Sequence, residues 1–391
     1  MLPIALFLSA VLAADAAKES GLKVVTDFPG GSAKVESIDP SGKALRIAPT
    51  PHPGKGWACW WNFKLEGITP GTEISLTVSG SGFTIPDRAM FSLDGKTWVH
   101  TAPGVKTKGG VTYTHKVEGD ACRFAWGPPF GLDDARELLA SAAKSCPEAQ
   151  VFELCKSREG KSVPAIRICG TDKPTRGLWV NARQHAWEAG GTWVCRGLIE
   201  WLVSDAPEAV ALRKTTEVFV VPIMDVDNVE RGAGGKNQTP QDHNRDWTAE
   251  PHWFEVRAAQ AIIKTMVAAG RFDMFLDLHN PGPGDRSPFF FVAPATILSD
   301  AGKKNLEAFI KIARQEIVGP LALDPRPKES GPNYDKNWKA ISKNWATEIG
   351  GGTPVCVTLE TAWNNPKSTP DNYRRVGREL ALTAAKYLAG K

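Results

Sequence analysis

The stretch Ala182-Arg183-Gln184-His185-Ala186-Trp187-Glu188 places a His and a Glu three residues apart. An apolar run, Gly177 to Val180, precedes it and a helical pattern follows. A strand end is where a zinc hydrolase would hold two of its metal ligands. The spacing alone decides little, because His115/Glu118 and His252/Glu255 repeat it. Three downstream segments single out the first pair. Asp242-His243-Asn244-Arg245-Asp246-Trp247 is a dense polar cluster, Phe275 to His279 is an apolar strand ending on a His, and Val355 to Glu360 is a β-branched run ending on a Glu. In an open α/β sheet, reactive groups collect outside the carboxyl ends of the strands.

The residue types then suggest a division of labour. A catalytic zinc keeps three protein ligands and an open position for water or substrate, and His185, Glu188 and His279 make such a set. The metal lowers the pKa of its bound water towards roughly 7 and polarises a carbonyl. Glu360, beside that water, would take its proton and pass it to a leaving amine. An arginine fork binds carboxylates through two parallel hydrogen bonds, so Asn244-Arg245 would hold a terminal carboxylate. Asp242 would orient a ligand imidazole from behind. The two remaining His/Glu pairs have plainer readings: His115/Glu118 as surface charge on an alternating strand, and His252/Glu255 as an exposed first helical turn. Arg183 reads as a salt-bridge partner beneath the site.

In order and type these segments resemble the M14 family of metallocarboxypeptidases: His-x-x-Glu, then Asp-x-Asn-Arg, then His, then Glu. The similarity is closest to the cytosolic-carboxypeptidase-like branch, on Ala182 to Glu188, the helix around Trp193 to Leu198, Asp242 to Trp247 and Asp277 to His279. It runs over roughly residues 50 to 380 and includes the region before the catalytic one. The resemblance implies His185, Glu188 and His279 as ligands of one Zn2+ per chain, Glu360 as general base, and Asn244 and Arg245 as the carboxylate site. The substrate it implies is a peptide or protein C-terminus. It also calls for a carbonyl-polarising arginine in the loop from Val229 to Gln241. Arg231 is the arginine of that loop, with Lys236 as fallback, and Tyr334 is the candidate for the family's mobile tyrosine. One departure is Asp225-Val226-Asp227-Asn228, where the family usually has Asn-Pro-Asp-Gly. Two alternatives remain open: an amidase of the same fold acting on cell-wall peptides or N-acyl amino acids, and a non-catalytic peptide- or polymer-binding protein.

These residues need a scaffold, and the pattern of the chain supplies one. A length of 391 residues suggests two to three domains. From Lys18 to Phe130, short alternating runs such as Glu73 to Val78 are separated by turn signals, which predicts a small antiparallel β-sandwich over residues 17–130. From residue 131 to 391, helical patterns alternate with the apolar runs Val218 to Ile223, Phe272 to Leu278, Phe289 to Val292 and Val355 to Leu359. That alternation predicts an α/β catalytic region with a mixed, mostly parallel sheet flanked by helices. Helix-like spacing covers Leu306 to Ile317 and Tyr373 to Leu388. The first 16 residues, an apolar run followed by Ala14-Asp15-Ala16, read as a cleaved signal peptide and so as a secreted or periplasmic protein. No later run is long enough for a membrane span. A net charge of +4 without a Lys/Arg block argues against nucleic acid as partner. Seven cysteines cannot all pair, and buried thiols are at least as good a reading as disulfides. Trp57, Trp60 and Trp61 read as sandwich core ahead of a carbohydrate platform. Oligomeric state has no signal in the sequence.

Overall fold

A computed structural model describes residues 21–80 and 85–391; the expected signal segment, 1–16, lies outside the described residues. The N-terminal region forms two five-stranded sheets. One contains Lys23–Val25, Asn62–Glu66, Met90–Ser92, Val99–His100 and Ala121–Ala125; the other contains Lys34–Ile38, Ala44–Ala48, Thr72–Val78, Val105–Thr107 and Gly110–Val117. Along Thr72–Val78 the period-two pattern sends Ile74, Leu76 and Val78 inward, all fully buried. There they share one core with Phe63, Leu65 and Phe124 of the opposite sheet. Every pairing in these sheets is antiparallel except Ala44–Ala48 with Thr72–Val78, which is parallel. Alternation reads the same in either strand direction, so the sequence pattern does not distinguish that pair.

The larger sheet has eight strands in the order Ala149–Lys156, Ser162–Ile168, Thr216–Val221, Arg176–Ala182, Met274–His279, Val355–Glu360, Phe289–Val292, Lys328–Glu329. Its four central strands run parallel, and antiparallel pairs flank them on both sides. Met274–His279 is buried at every position, which is why it reads as a continuous apolar run rather than an alternation. The parallel arrangement brings the carboxyl ends of Arg176–Ala182, Met274–His279 and Val355–Glu360 to one edge.

Helices cover the sheet, and the two longest start at a capping side chain. Ser299 accepts a hydrogen bond from Gly302 N at 3.0 Å and begins the helix Asp300–Glu316. Thr369, followed by Pro370, begins Pro370–Ala389. Both helices therefore start several residues before the apolar spacing that runs from Leu306 and from Tyr373. The helix Ala189–Leu202 crosses Pro370–Ala389 with the two backbones touching. A Cβ on Gly197 would lie 1.9 Å from the Arg374 carbonyl oxygen, and one on Gly377 1.9 Å from that of Val194. Among the described residues no helix is long and apolar enough to cross a membrane. The seven cysteine thiols are free, and all but Cys155 are buried.

Candidate active site

The strand Arg176–Ala182 ends at Arg183, whose φ of 62° turns the chain sharply into His185. Glu188 then caps the helix Ala189–Leu202. Gly191 lets that helix begin directly against the neighbouring strand, since a Cβ there would lie 2.6 Å from the Leu278 carbonyl oxygen. The next residue of that strand is His279. In the parallel register it stands opposite Glu360. Backbone geometry thus delivers four side chains from three strand ends to one place.

The Glu188 carboxylate lies between the two imidazoles, 2.8 Å from His185 Nδ1 and 2.7 Å from His279 Nδ1. One ligand atom from each of the three residues falls within 4.8 Å of the others, and all three are buried. The outer nitrogens face carboxylates: His185 Nε2 is 3.1 Å from Asp242 Oδ1, and His279 Nε2 is 2.9 Å from Asp277 Oδ2. An imidazole that donates Nε2–H to a carboxylate keeps its Nδ1 lone pair for a metal. Two nitrogens and one carboxylate facing a common point fit the donor set of a catalytic zinc. The charges agree. Burial opposes ionisation of Glu188, Asp242 and Asp277, but His185 and His279 outweigh it and hold these carboxyls below their usual range. Burial would likewise lower His279, yet Asp277 and Glu188 raise it well above an ordinary imidazole. Three carboxylates converging on two imidazoles make a centre that a divalent cation would balance.

Glu360 opens partly to the cleft, while its Oε2 is enclosed and has no hydrogen-bond partner among the described residues. Burial raises its carboxyl to about 7, against the opposing pull of His279. Asn244 and Arg245 line the same recess. Arg245 donates from Nε to Asp335 at 2.8 Å and from Nη1 to the Asn244 carbonyl. The Asn244 amide oxygen accepts from Ser342 N at 3.0 Å, which turns its nitrogen towards His279. Asp242 accepts from Asn244 N at 2.8 Å and from Asn237 N at 2.7 Å, so it ties the polar cluster to His185. Tyr334 is half exposed, packs on Phe291 with ring centroids 5.0 Å apart, and lines the cleft beside Glu360.

Three expectations need correction. Arg231 ends a short helix and pairs with Glu159 and Asn228, and it is not among the residues lining the cleft. Lys236 lines it instead. Gly232, at φ 70°, ends the helix and turns the following loop, so Lys236 rather than Arg231 reaches the cleft. Among the described residues Arg183 forms no salt bridge beneath the site: its guanidinium donates to the carbonyls of Ala186 and Phe130. Burial lowers its pKa to about 9. Glu255 is buried rather than exposed, accepting from His243 Nε2 at 2.6 Å under the polar cluster.

Other residues of the site have no role assigned from the sequence. Asp277 also accepts from Gln184, Ser342 and Asn181 and so anchors His279; the signal available for it was its place two residues before His279 on the same strand face. Lys343 is fully buried at the recess, donating to Ser330 Oγ and Asn344 Oδ1 at 2.6 Å each. Burial lowers its pKa to about 7. Trp60 and Trp61 lie in the N-terminal core, but Trp57, packed at the edge of that core, also lines the cleft.

Residues 135–283 match the zinc carboxypeptidase family Peptidase_M14. Cytosolic carboxypeptidase 1 of Danio rerio is 26% identical over 187 residues, which is 43% of this chain and 16% of that protein. The chain therefore corresponds to less than a fifth of that relative's length. The fold is shared along nearly the whole chain with a metallo-carboxypeptidase from Burkholderia cenocepacia, at a TM-score of 0.81 and 21% identity, covering 94% of this chain and 99% of that one. A metallo-carboxypeptidase from Pseudomonas aeruginosa, solved with (2-guanidinoethylmercapto)succinic acid, gives a TM-score of 0.77 at 23% identity, again over 94% and 99%.

Proposed function

From a chain that carries a Peptidase_M14 zinc carboxypeptidase domain, we propose a zinc-dependent carboxypeptidase that removes the last residue of a peptide or protein. The observation that carries this reading is the convergence of His185, Glu188 and His279 on one point beside Glu360, with Asn244 and Arg245 in the same recess. Bound at the three ligands, zinc supplies an acidified water and a polarised carbonyl. Asn244 and Arg245 hold the substrate's terminal carboxylate and so set which bond reaches the centre. Glu360 takes the proton of the attacking water and delivers it to the leaving amine nitrogen. Lys236, which lines the recess with Glu360, offers its positive charge to the scissile carbonyl, the part expected of Arg231.

The recess that takes the C-terminal side chain is narrow, about 20 Å³. That is room for about one water, which needs roughly 10–15 Å³ on the same measure. A bound residue therefore has to widen it, and the half-exposed Tyr334 is one of its walls. At its edge the buried Lys343 amine, which carries its proton below about pH 7, is in no ion pair among the described residues. A buried cation is stabilised by an opposite charge, so an acidic C-terminal residue is the class this recess fits best.

The test is a pair of peptides that differ only in a free or an amidated C-terminus. The free acid is cleaved, and amidation lowers kcat/KM by about a hundredfold or more, since it leaves the clamp unpaired. Equal cleavage of both would remove the exopeptidase reading. Cleavage of an N-acyl amino acid without trimming of peptides would favour an amidase.

A further inference from the structure

Two lobes of one cleft meet at Glu360. The narrow lobe runs to Asn244, Arg245 and Lys343; the wider one, about 250 Å³, runs to Trp57, Trp187, Phe289 and Asp285. Lys236, Phe291 and Tyr334, like Glu360, line both. With the terminal carboxylate on Asn244 and Arg245 and the broken bond at Glu360, the chain upstream of that bond leaves through the wider lobe.

The walls of that lobe are aromatic. Trp57 and Trp187 have ring centroids 6.1 Å apart, and Phe289 and Phe291 5.1 Å apart. The acidic group at its rim is already neutralised: Asp285 pairs with Lys328 at 2.5 Å, the Lys328 ammonium sits 3.7 Å from the Phe289 ring centroid, and Lys236 lies 5.7 Å from the Trp57 ring centroid. Trp57 comes from the N-terminal sheet region, and main-chain contacts hold it in place. Trp57 N donates to the Lys236 carbonyl at 3.0 Å, and Thr239 N to the Lys55 carbonyl at 3.0 Å. Gly234 closes the junction, because a Cβ there would lie 2.2 Å from the Trp57 carbonyl oxygen. These contacts persist when the Trp57 side chain is changed.

We propose that Trp57, Trp187 and Phe289 form a subsite for the side chain immediately upstream of the cleaved bond, and that it selects a large apolar, above all aromatic, residue. The N-terminal region thereby shares in substrate choice. The inference rests on the carboxypeptidase reading and adds to it.

Its test uses the zinc-loaded full chain and two N-blocked tripeptides with the same C-terminal residue and either Phe or Gly before it. The expected kcat/KM ratio, Phe over Gly, is roughly tenfold or more, the discrimination an apolar pocket can give. Trp57→Ala should reduce that ratio at least about threefold, and Trp57→Phe should restore most of it, because an aromatic ring is what the pocket requires. The ratio is taken within one protein, so partial loss of folded enzyme does not move it. A parent ratio near one with trimming intact, or a ratio unchanged in Trp57→Ala, would overturn the inference alone. Failure of the parent to trim either peptide would overturn the carboxypeptidase reading first, and the inference with it.

Discussion

Glu360 stands one strand away from His279, with one oxygen enclosed and burial raising its carboxyl to about 7. A group poised there can take and return a proton near neutrality. Glu360→Gln keeps the shape and removes the base, so kcat should fall by about a hundredfold to ten-thousandfold. Elemental analysis should still find one zinc per chain, and full turnover in that variant would contradict the assignment. Lys343 makes a second prediction. Its pKa is lowered to about 7, so the free recess carries the ammonium below that pH and a neutral amine above it. An acidic side chain binds the charged form, and above pH 7 its binding must take up a proton. KM for a Glu-terminated peptide should therefore rise with pH, by up to about tenfold per unit above 7. A Leu-terminated peptide should show no such rise, and Lys343→Met should abolish it; identical profiles for the two peptides would exclude the role. At this scale the sequence is legible where residue type and order carry the information. His185, Glu188, His279 and Glu360 were expected together, and the strand ends bring them together. It is illegible where side-chain direction decides. Arg231 and Lys236 lie five residues apart on one loop, and their spacing does not say which turns towards the cleft.

The elements that deliver these residues are rigid because their backbones pack without intervening side chains. Gly377→Ala would force a Cβ to within 1.9 Å of the Val194 carbonyl oxygen, pushing apart the helix that begins at Glu188. Overpacking of this kind costs about 1–3 kcal/mol. A lower denaturant midpoint with an unchanged m-value is the expected result, and unaltered stability would mean that the two helices are not held at this distance. The apolar runs Phe289 to Val292 and Val355 to Leu359 were readable as strands because buried parallel or mixed sheets leave continuous hydrophobic stretches. Helix starts were less legible. Apolar spacing marks the packed face, whereas Ser299 and Thr369 mark the true beginnings. The parallel pair in the N-terminal sheets escaped notice because alternation specifies a face and not a direction.

On the scale of the whole molecule, the N-terminal sheets and the α/β region are bound through the site itself. Trp187 and Trp363 lie close to Glu188 and Glu360 in sequence, yet they belong to the N-terminal core. Trp126 joins them, 4.8 Å from Trp187 and 4.5 Å from Trp363 between ring centroids. Such aromatic contacts add about 0.5–1.5 kcal/mol beyond their buried area. Strand periodicity cannot reveal a junction of this kind, since it joins Trp57 and Trp126 to residues far along the chain. The measurement that bears most directly on the account is mass spectrometry of a mixed peptide library incubated with the zinc-loaded protein, with and without a chelator. Loss of single C-terminal residues is expected, acidic ones first, abolished by chelation and restored by added zinc. Intact peptides from the zinc-loaded protein, or trimming that continues in excess chelator, would contradict it.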